Sequence, residues 1–403
     1  MTAWMTATEA ADRLGVKRET VYAYASRGFL RSTRSADGRS SLFDVSEVER
    51  LAVRGRRSGT ASPLAVESGL TAIEGGRLFY RGRDAVELSR RWPFEKVADL
   101  LWDVDGGDDP WAPDDRAAAT AAKAQRALPH DTLPFDRLRV SVAALAASEH
   151  LRFDMTPEPV VATGRSLIAT LVDSLPALQP DLGPSMAERV WTRLSARRPK
   201  PGLLEVLGAA MVLTADHELS PSTLAVRIAA SVRAEPYAVV ATGMGVMAGT
   251  LHGAASLAAE ELLAEVDKTH DAAAAIGRRL RRGERIPGFG QPLYPEGDPR
   301  GIEMLRRLQR VVGVRPLAPA RQVISTMRSR RLPLPNVDFG LAALATYAGM
   351  VRGAGEAIMT VSRTVGWIAH ALEEYAQPTG FRPRAIYTGP PPASQVTTKK
   401  VMP

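Results

Sequence analysis

The chain has 403 residues, long enough for two or three domains and a full hydrophobic core. It contains no cysteine, which excludes disulfides, thiolate nucleophiles and cysteine-ligated metal and suits a reducing cytoplasm. The formal net charge of +8 is uneven: residues 1–60 hold 11 Lys/Arg against 7 Asp/Glu, an excess of +4 that favours an anionic partner for this segment.

In chain order, the N-terminus MTAWMTATEAADRLG has no basic region followed by an apolar run, so no signal peptide is predicted. TATEAADRLGVKRETVYAYASRGFLR, residues 6–31, predicts a short helix, a turn at Gly15 and a second helix with Val21, Tyr24 and Ala25 on one face. Ala11, Gly15 and Val21 have the spacing of a helix-turn-helix: a small residue where the helices cross, a glycine at the turn, a branched residue packing the second helix. The segment resembles excisionase and MerR-like winged helices. RSTRSADGRSSLFDVSEVERL then predicts a hairpin turn at Asp37-Gly38 and a helix capped by Ser46. Lys17, Arg18, Arg27, Arg31, Arg34 and Arg39 are the candidate phosphate contacts, and a docking module with a solvated basic face is the alternative use.

RGRRSGTAS, residues 54–62, has linker composition. Beyond it, alanine and leucine recur at helical spacing in VADLLWDV, VSVAALAASEHL, SLIATLVDSL and LLEVLGAAMVL, which predicts a mainly helical body. DVDGGDDPWAPDD, residues 103–115, is predicted to be an acidic surface loop, and the tail PPPASQVTTKKVMP to fray. YAVVATGMGVMAGTL, residues 237–251, is too short and too rich in glycine to span a bilayer. A soluble, cytoplasmic protein is expected.

The chain has only six histidines, so each setting can be weighed. His130, His150 and His270 lie in polar or loop-like contexts without a constellation, and no pair has the HExxH spacing that places two ligands on one helix face. No metal site is expected. His217 in ADHELSPST, His252 in LHGAAS and His370 in SRTVGWIAHALEEY stand out only in company. Read in order, GGRLFYRGRDAVEL and FEKVADLLW, ADHELSPST, LHGAAS, PGFGQPLYPEGDPR, NVDFG, SRTVGWIAHALEEY and FRPRAIYTG resemble the citrate synthase family over roughly residues 66–390.

The resemblance implies a mainly α architecture: a winged helix-turn-helix in 1–60, then a two-domain all-α body in 66–395 with about 235–350 as the smaller inserted domain. It implies a Claisen-type condensation, in which the carbon beside an acyl-CoA thioester attacks the ketone of a 2-oxo dicarboxylic acid before the thioester is hydrolysed. Acetyl-CoA or propionyl-CoA is the expected cosubstrate, with no tightly bound cofactor. Such chemistry needs a base for a weakly acidic C–H and donors on both the thioester and ketone oxygens. By motif, Asp338 matches the family's base, His252 its thioester donor, and Arg300, Arg363 and Arg382 its carboxylate-binding arginines, with His217 a further ligand. Arginine suits that role through its planar fork. The family also implies a homodimer in which Arg382 enters the partner's site.

The departures are as specific as the matches. Gln291 stands in PGFGQPLY where the family has the histidine that donates to the ketone. An amide donates a hydrogen bond but cannot carry positive charge, a loss worth about 3 kcal/mol at a developing oxyanion. Thr214, Thr250, Ala254 and Ser256 also depart from the family's residues. Two functions follow: a condensing enzyme slowed by Gln291, or a metabolite-sensing DNA-binding regulator with a degenerate body.

Overall fold

The computed structural model describes residues 4–26, 29–35, 40–48, 66–107, 110–253, 255–378 and 380–381. The Asp37-Gly38 turn, the 54–62 linker, the 390–403 tail, Arg27, Arg39, Ala254 and Arg382 lie outside them. Contacts divide the chain into two units, Met1–Glu67 and Ser68–Pro403.

In the first unit a capping box starts helix Ala7–Leu14: Thr6 Oγ1 accepts the Glu9 N–H, and the Glu9 carboxylate accepts the Thr6 N–H. Gly15 closes this helix in the left-handed conformation, and helix Arg18–Ser26 follows. Ala11 and Val21 are buried against Ala7, Ala10, Leu30, Phe43 and Val48, so the helix-turn-helix spacing does pack as one small core. Strands Trp4–Thr6, Ser32–Arg34 and Ser41–Asp44 form an antiparallel sheet with the third in the middle, and Arg34 pairs across from Ser41. The expectation for Ser46 is corrected. The helix begins at residue 45, and Asp44 caps it by accepting both the N–H and the hydroxyl of Ser46, at 2.9 and 2.7 Å. The cap must keep extended dihedrals, and the strand ends at Asp44.

The second unit opens with strands Thr71–Glu74, Arg77–Tyr80 and Arg83–Asp84 in an antiparallel meander, turned tightly at Gly75-Gly76. Helices follow. Side-chain caps start many of them, among them Asp84, Asp114, Ser185, Ser220, Asp271, Asp298 and Asn336. Helix Ala354–Tyr375 is buried along almost its whole length, its polar groups such as Arg363 and His370 included, and helices Leu203–Thr214, Pro221–Ser231, Pro236–Met247 and Val337–Ala348 pack around it. The acidic 103–115 segment is not purely a surface loop: Trp111 is buried, with its ring stacked 5.5 Å from Trp102 and 5.9 Å from Phe94. Burying an indole outweighs the polarity of its neighbours. Among the described residues no helix is long and apolar enough to cross a membrane.

Candidate active site

The turn at 286–291 is shaped by two glycines in the left-handed region, Gly288 and Gly290, with φ of 78° and 85°. A Cβ at Gly288 would sit 2.8 Å from that of Phe339, so the turn lies directly on the start of helix Val337–Ala348. Three hydrogen bonds hold it there: Gly290 N–H to Leu334 O at 2.8 Å, Asn336 N–H to Gly288 O at 2.9 Å, and Asn336 Nδ2–H to Gly290 O at 3.0 Å. Asn336 also caps the helix by accepting the Asp338 N–H at 3.0 Å. The residue after Gly290 and the acid two positions into this segment are thereby fixed on one rigid piece. Gln291 uses its Oε1 to accept the Leu293 N–H at 3.4 Å, while its Nε2 has no hydrogen-bond partner among the described residues.

Three cationic or ring groups lie buried nearby. Arg300, in the first turn of helix Pro299–Val312, has two of its three guanidinium nitrogens held by Asp298, at 2.9 and 2.7 Å. Asp298 reaches onward to the Val337 N–H at 3.1 Å, which ties Arg300 to the Asp338 helix. Arg363 sits mid-way along the central helix and differs: its Nε donates to Thr214 O at 2.9 Å and its Nη1 approaches Ser220 Oγ at 3.5 Å, with no carboxylate bonded to it among the described residues. Burial pulls its pKa down, although Asp216 and Asp338 act to raise it. A buried guanidinium without a bonded acid is costly unless an anion joins it. His217 Nε2 lies 3.0 Å from the Tyr294 hydroxyl, and burial together with the charges of Arg300, Arg363 and His252 holds its pKa well below the usual histidine range.

His252 and Asp338 are half-buried at the edge of these groups. His252 stands in the turn after helix Pro236–Met247, with its Nε2 2.9 Å from Ser222 Oγ. Desolvation, helped by Arg363, lowers its pKa to about 4, so the ring is neutral at physiological pH. Asp338 is pushed the other way, up to about 7, by desolvation with Asp298 adding and Arg300 and Arg363 opposing. A carboxyl poised near neutrality, in the same charged cluster as a neutral imidazole, is suited to exchanging a proton with carbon.

A family model described as "Citrate synthase, C-terminal domain" matches residues 59–384, and one described as "Helix-turn-helix domain" matches residues 4–55. The chain belongs to the citrate synthase family. This family member is 30% identical to the "Citrate synthase" of Haloferax volcanii over 83% of its own length and 96% of the relative's. It is 29% identical to "Citrate synthase 2" of Bacillus subtilis, across 82% and 95% of the two chains. The "2-methylcitrate synthase" of Mycobacterium tuberculosis is 28% identical, across 77% and 84%. The fold also matches a solved citrate synthase of Thermotoga maritima with a TM-score of 0.67 at 23% identity, across 83% and 96% of the chains. A Thermoplasma acidophilum citrate synthase, solved as a ternary complex with carboxymethyl coenzyme A and oxaloacetate, matches with a TM-score of 0.70 at 21% identity, across 83% and 97%.

In this citrate synthase family member, His217, His252, Arg300, Arg363 and Asp338 come together: Arg363 acts electrostatically on both histidines and on Asp338, and Arg300 on His217 and Asp338. Gln291 joins them through the turn. Tyr294, Asp298, Ser222 and Asn336 lie inside the motif strings, yet no spacing rule singles them out. Asp298 and Asn336, each at the foot of a helix, carried the usable signal, that of an N-cap. His370 is buried away from Gln291's turn, in contact with Arg227 and Asp216, so its place is structural support for the 215–217 turn. Among the described residues no group of three or more His, Asp or Glu could hold a metal ion. In the first unit Lys17 and Arg18 are exposed at the start of the second helix and Arg34 on an outer strand. Arg31 is instead matched by Glu47 at 2.8 Å and Asp44 at 3.3 Å.

Proposed function

We propose that this protein condenses an acyl-CoA, of the acetyl-CoA or propionyl-CoA type, with a 2-oxo dicarboxylic acid such as oxaloacetate, and then hydrolyses the thioester. The observation that carries the reading is that Asp338, a carboxyl poised near neutrality, and a neutral His252 both feel the charge of the buried Arg363, to which no carboxylate is bonded among the described residues. Relatives named citrate synthase and 2-methylcitrate synthase support it.

In this mechanism Asp338 takes a proton from the carbon beside the thioester while a ring N–H of His252 donates to the thioester oxygen, so the developing enolate charge is held. That carbon then bonds to the ketone carbon of the oxo acid. Gln291 Nε2–H steadies the alkoxide, which takes up a proton, and water cleaves the thioester to release the CoA thiol. Arg363, the free nitrogen of Arg300, Arg382 and His217 bind the oxo-acid. Gln291 makes turnover slow. Residues 235–350 act as a smaller domain whose closure excludes water. A homodimer completes each site with the partner's Arg382. Thiol release measured with a panel of acyl-CoAs and 2-oxo acids tests the reaction; no thiol release with any pair overturns it. In heterodimers of Arg382→Ala with His252→Ala, partial rescue is expected, and its absence refutes a shared site.

The exposed Lys17 and Arg18 on a helix-turn-helix support a second reading, a metabolite-responsive DNA-binding regulator in which Gln291 marks binding without efficient turnover.

A further inference from the structure

Helix Pro299–Val312 carries three arginines on its second half, and with Arg90 they line a cavity of about 500 Å³ bounded also by Gly202, Glu205, Val206 and Val311. Among the described residues one buried acid serves three of these four cations. Glu303 takes two bonds from Arg306, at 2.8 and 2.5 Å, one from Arg307 at 3.0 Å and two from Arg90 at 3.2 Å. Burial raises the pKa of Glu303, but these bonds outweigh it and hold the group at about 2, so it is ionised throughout the physiological range. Even with Glu87 and with Glu205, the exposed acid on the cavity's other wall, four guanidiniums stand against three carboxylates and an excess of positive charge remains. Glu87 takes part of Arg90, whereas Arg310 is exposed with no bonded acid among the described residues.

The opposite wall is the start of helix Leu203–Thr214. Its cap residue is Gly202, which offers no side-chain acceptor; Lys200 O takes the Leu203 N–H at 3.0 Å, and the Leu204 and Glu205 N–H groups have no acceptor among the described residues and are left for another partner. Gly202 has φ of 83°, and a Cβ there would lie 2.8 Å from Val311, so glycine is what lets the amide end of this helix approach the arginines.

We infer that this cavity binds a multiply charged phosphate anion. Forked guanidinium donors match tetrahedral oxyanions, the N-terminal amides add donors from a second direction, and the volume admits more than one phosphoryl group. The two helices that frame the cavity both lead to the candidate active site: one begins at Arg300, and the other ends at Thr214, whose carbonyl holds Arg363 Nε–H at 2.9 Å. An anion bridging them fixes the placement of one arginine relative to the other and so alters oxo-acid affinity. This coupling rests on reading Arg300 and Arg363 as the oxo-acid clamp.

Calorimetric titration of the full chain with pyrophosphate, in magnesium-free buffer at constant ionic strength, tests the site. Saturable binding is expected, weakened by about tenfold or more in Arg310→Ala and in Arg306→Ala and unchanged in Arg363→Gln. No binding, undiminished binding in Arg310→Ala, or loss confined to Arg363→Gln overturns the inference, the last because it places the anion in the active site. Saturating pyrophosphate should also shift oxaloacetate affinity by about fivefold in the parent chain and not in Arg310→Ala. An unchanged oxaloacetate affinity overturns the coupling while leaving the site standing.

Discussion

Asn336 donates its side-chain N–H to Gly290 O at 3.0 Å while its Oδ1 accepts the Asp338 N–H at the same distance. One amide thus fastens the turn that presents Gln291 to the helix start that presents Asp338. In the proposed reaction these two residues act on opposite partners of the bond being made, so their relative position controls how closely the two carbons approach.

Because the turn, and not its own contacts, places Gln291, a histidine should be accommodated there. Gln291→His should raise the condensation rate by roughly tenfold to a thousandfold, the range for adding a charge-assisted donor to a developing oxyanion. If the amide is instead an adaptation to a different electrophile, activity on the true substrate should drop. Unchanged rates with every active substrate pair would make Gln291 a bystander.

The raised pKa of Asp338 has two consequences of opposite kind. Activity needs the ionised carboxylate, so kcat/KM should rise with pH through a single ionisation near 7 and level off above it. Stability runs the other way. The folded chain holds this proton up to about pH 7 while the unfolded chain releases it near the ordinary value of 3.8, so ionising Asp338 in the fold becomes costly as pH climbs between the two. Asp338→Asn should abolish turnover yet raise the melting temperature at pH 7.5, with the gain shrinking as pH falls toward 4. A variant less stable than the parent at pH 7.5 contradicts the desolvation argument.

Ser222 approaches the Nε2 of His252 at 2.9 Å and so selects which ring nitrogen is left to face the thioester. Ser222→Ala should lower kcat by about 2- to 10-fold, the worth of one hydrogen bond, with little change in oxo-acid KM. A change confined to KM would show that the hydroxyl binds substrate instead of orienting the imidazole.

In the N-terminal unit the exposed pair Lys17 and Arg18 is the strongest candidate for phosphate contact. The full chain should bind duplex DNA with an affinity that falls as salt rises, and Lys17→Ala with Arg18→Ala should lower the salt slope by about 2. Gel-shift or anisotropy titrations read this directly. Salt-insensitive binding, or none, leaves the unit a docking module.

Much of this architecture is legible without coordinates because its determinants are local. The 3.6-residue recurrence of apolar groups, the Ala11, Gly15 and Val21 spacing and the glycines of the 286–291 turn act within a few residues of themselves. His217, His252, Arg300, Arg363 and Asp338 could be named because each rides in a short motif. The sequence by itself thus determined the family, the helical class and the residue types available for chemistry. What it could not contain is the set of distances between segments far apart in the chain. That Asp298 occupies most of the Arg300 fork, that Arg363 is buried with no acid bonded to it among the described residues, that Ser222 meets His252 across 30 residues and that Trp111 leaves an acidic loop for the core were decided by packing. The proton affinities of Asp338 and His252 belong to the same class, since desolvation and neighbouring charge act through space and do not follow chain order.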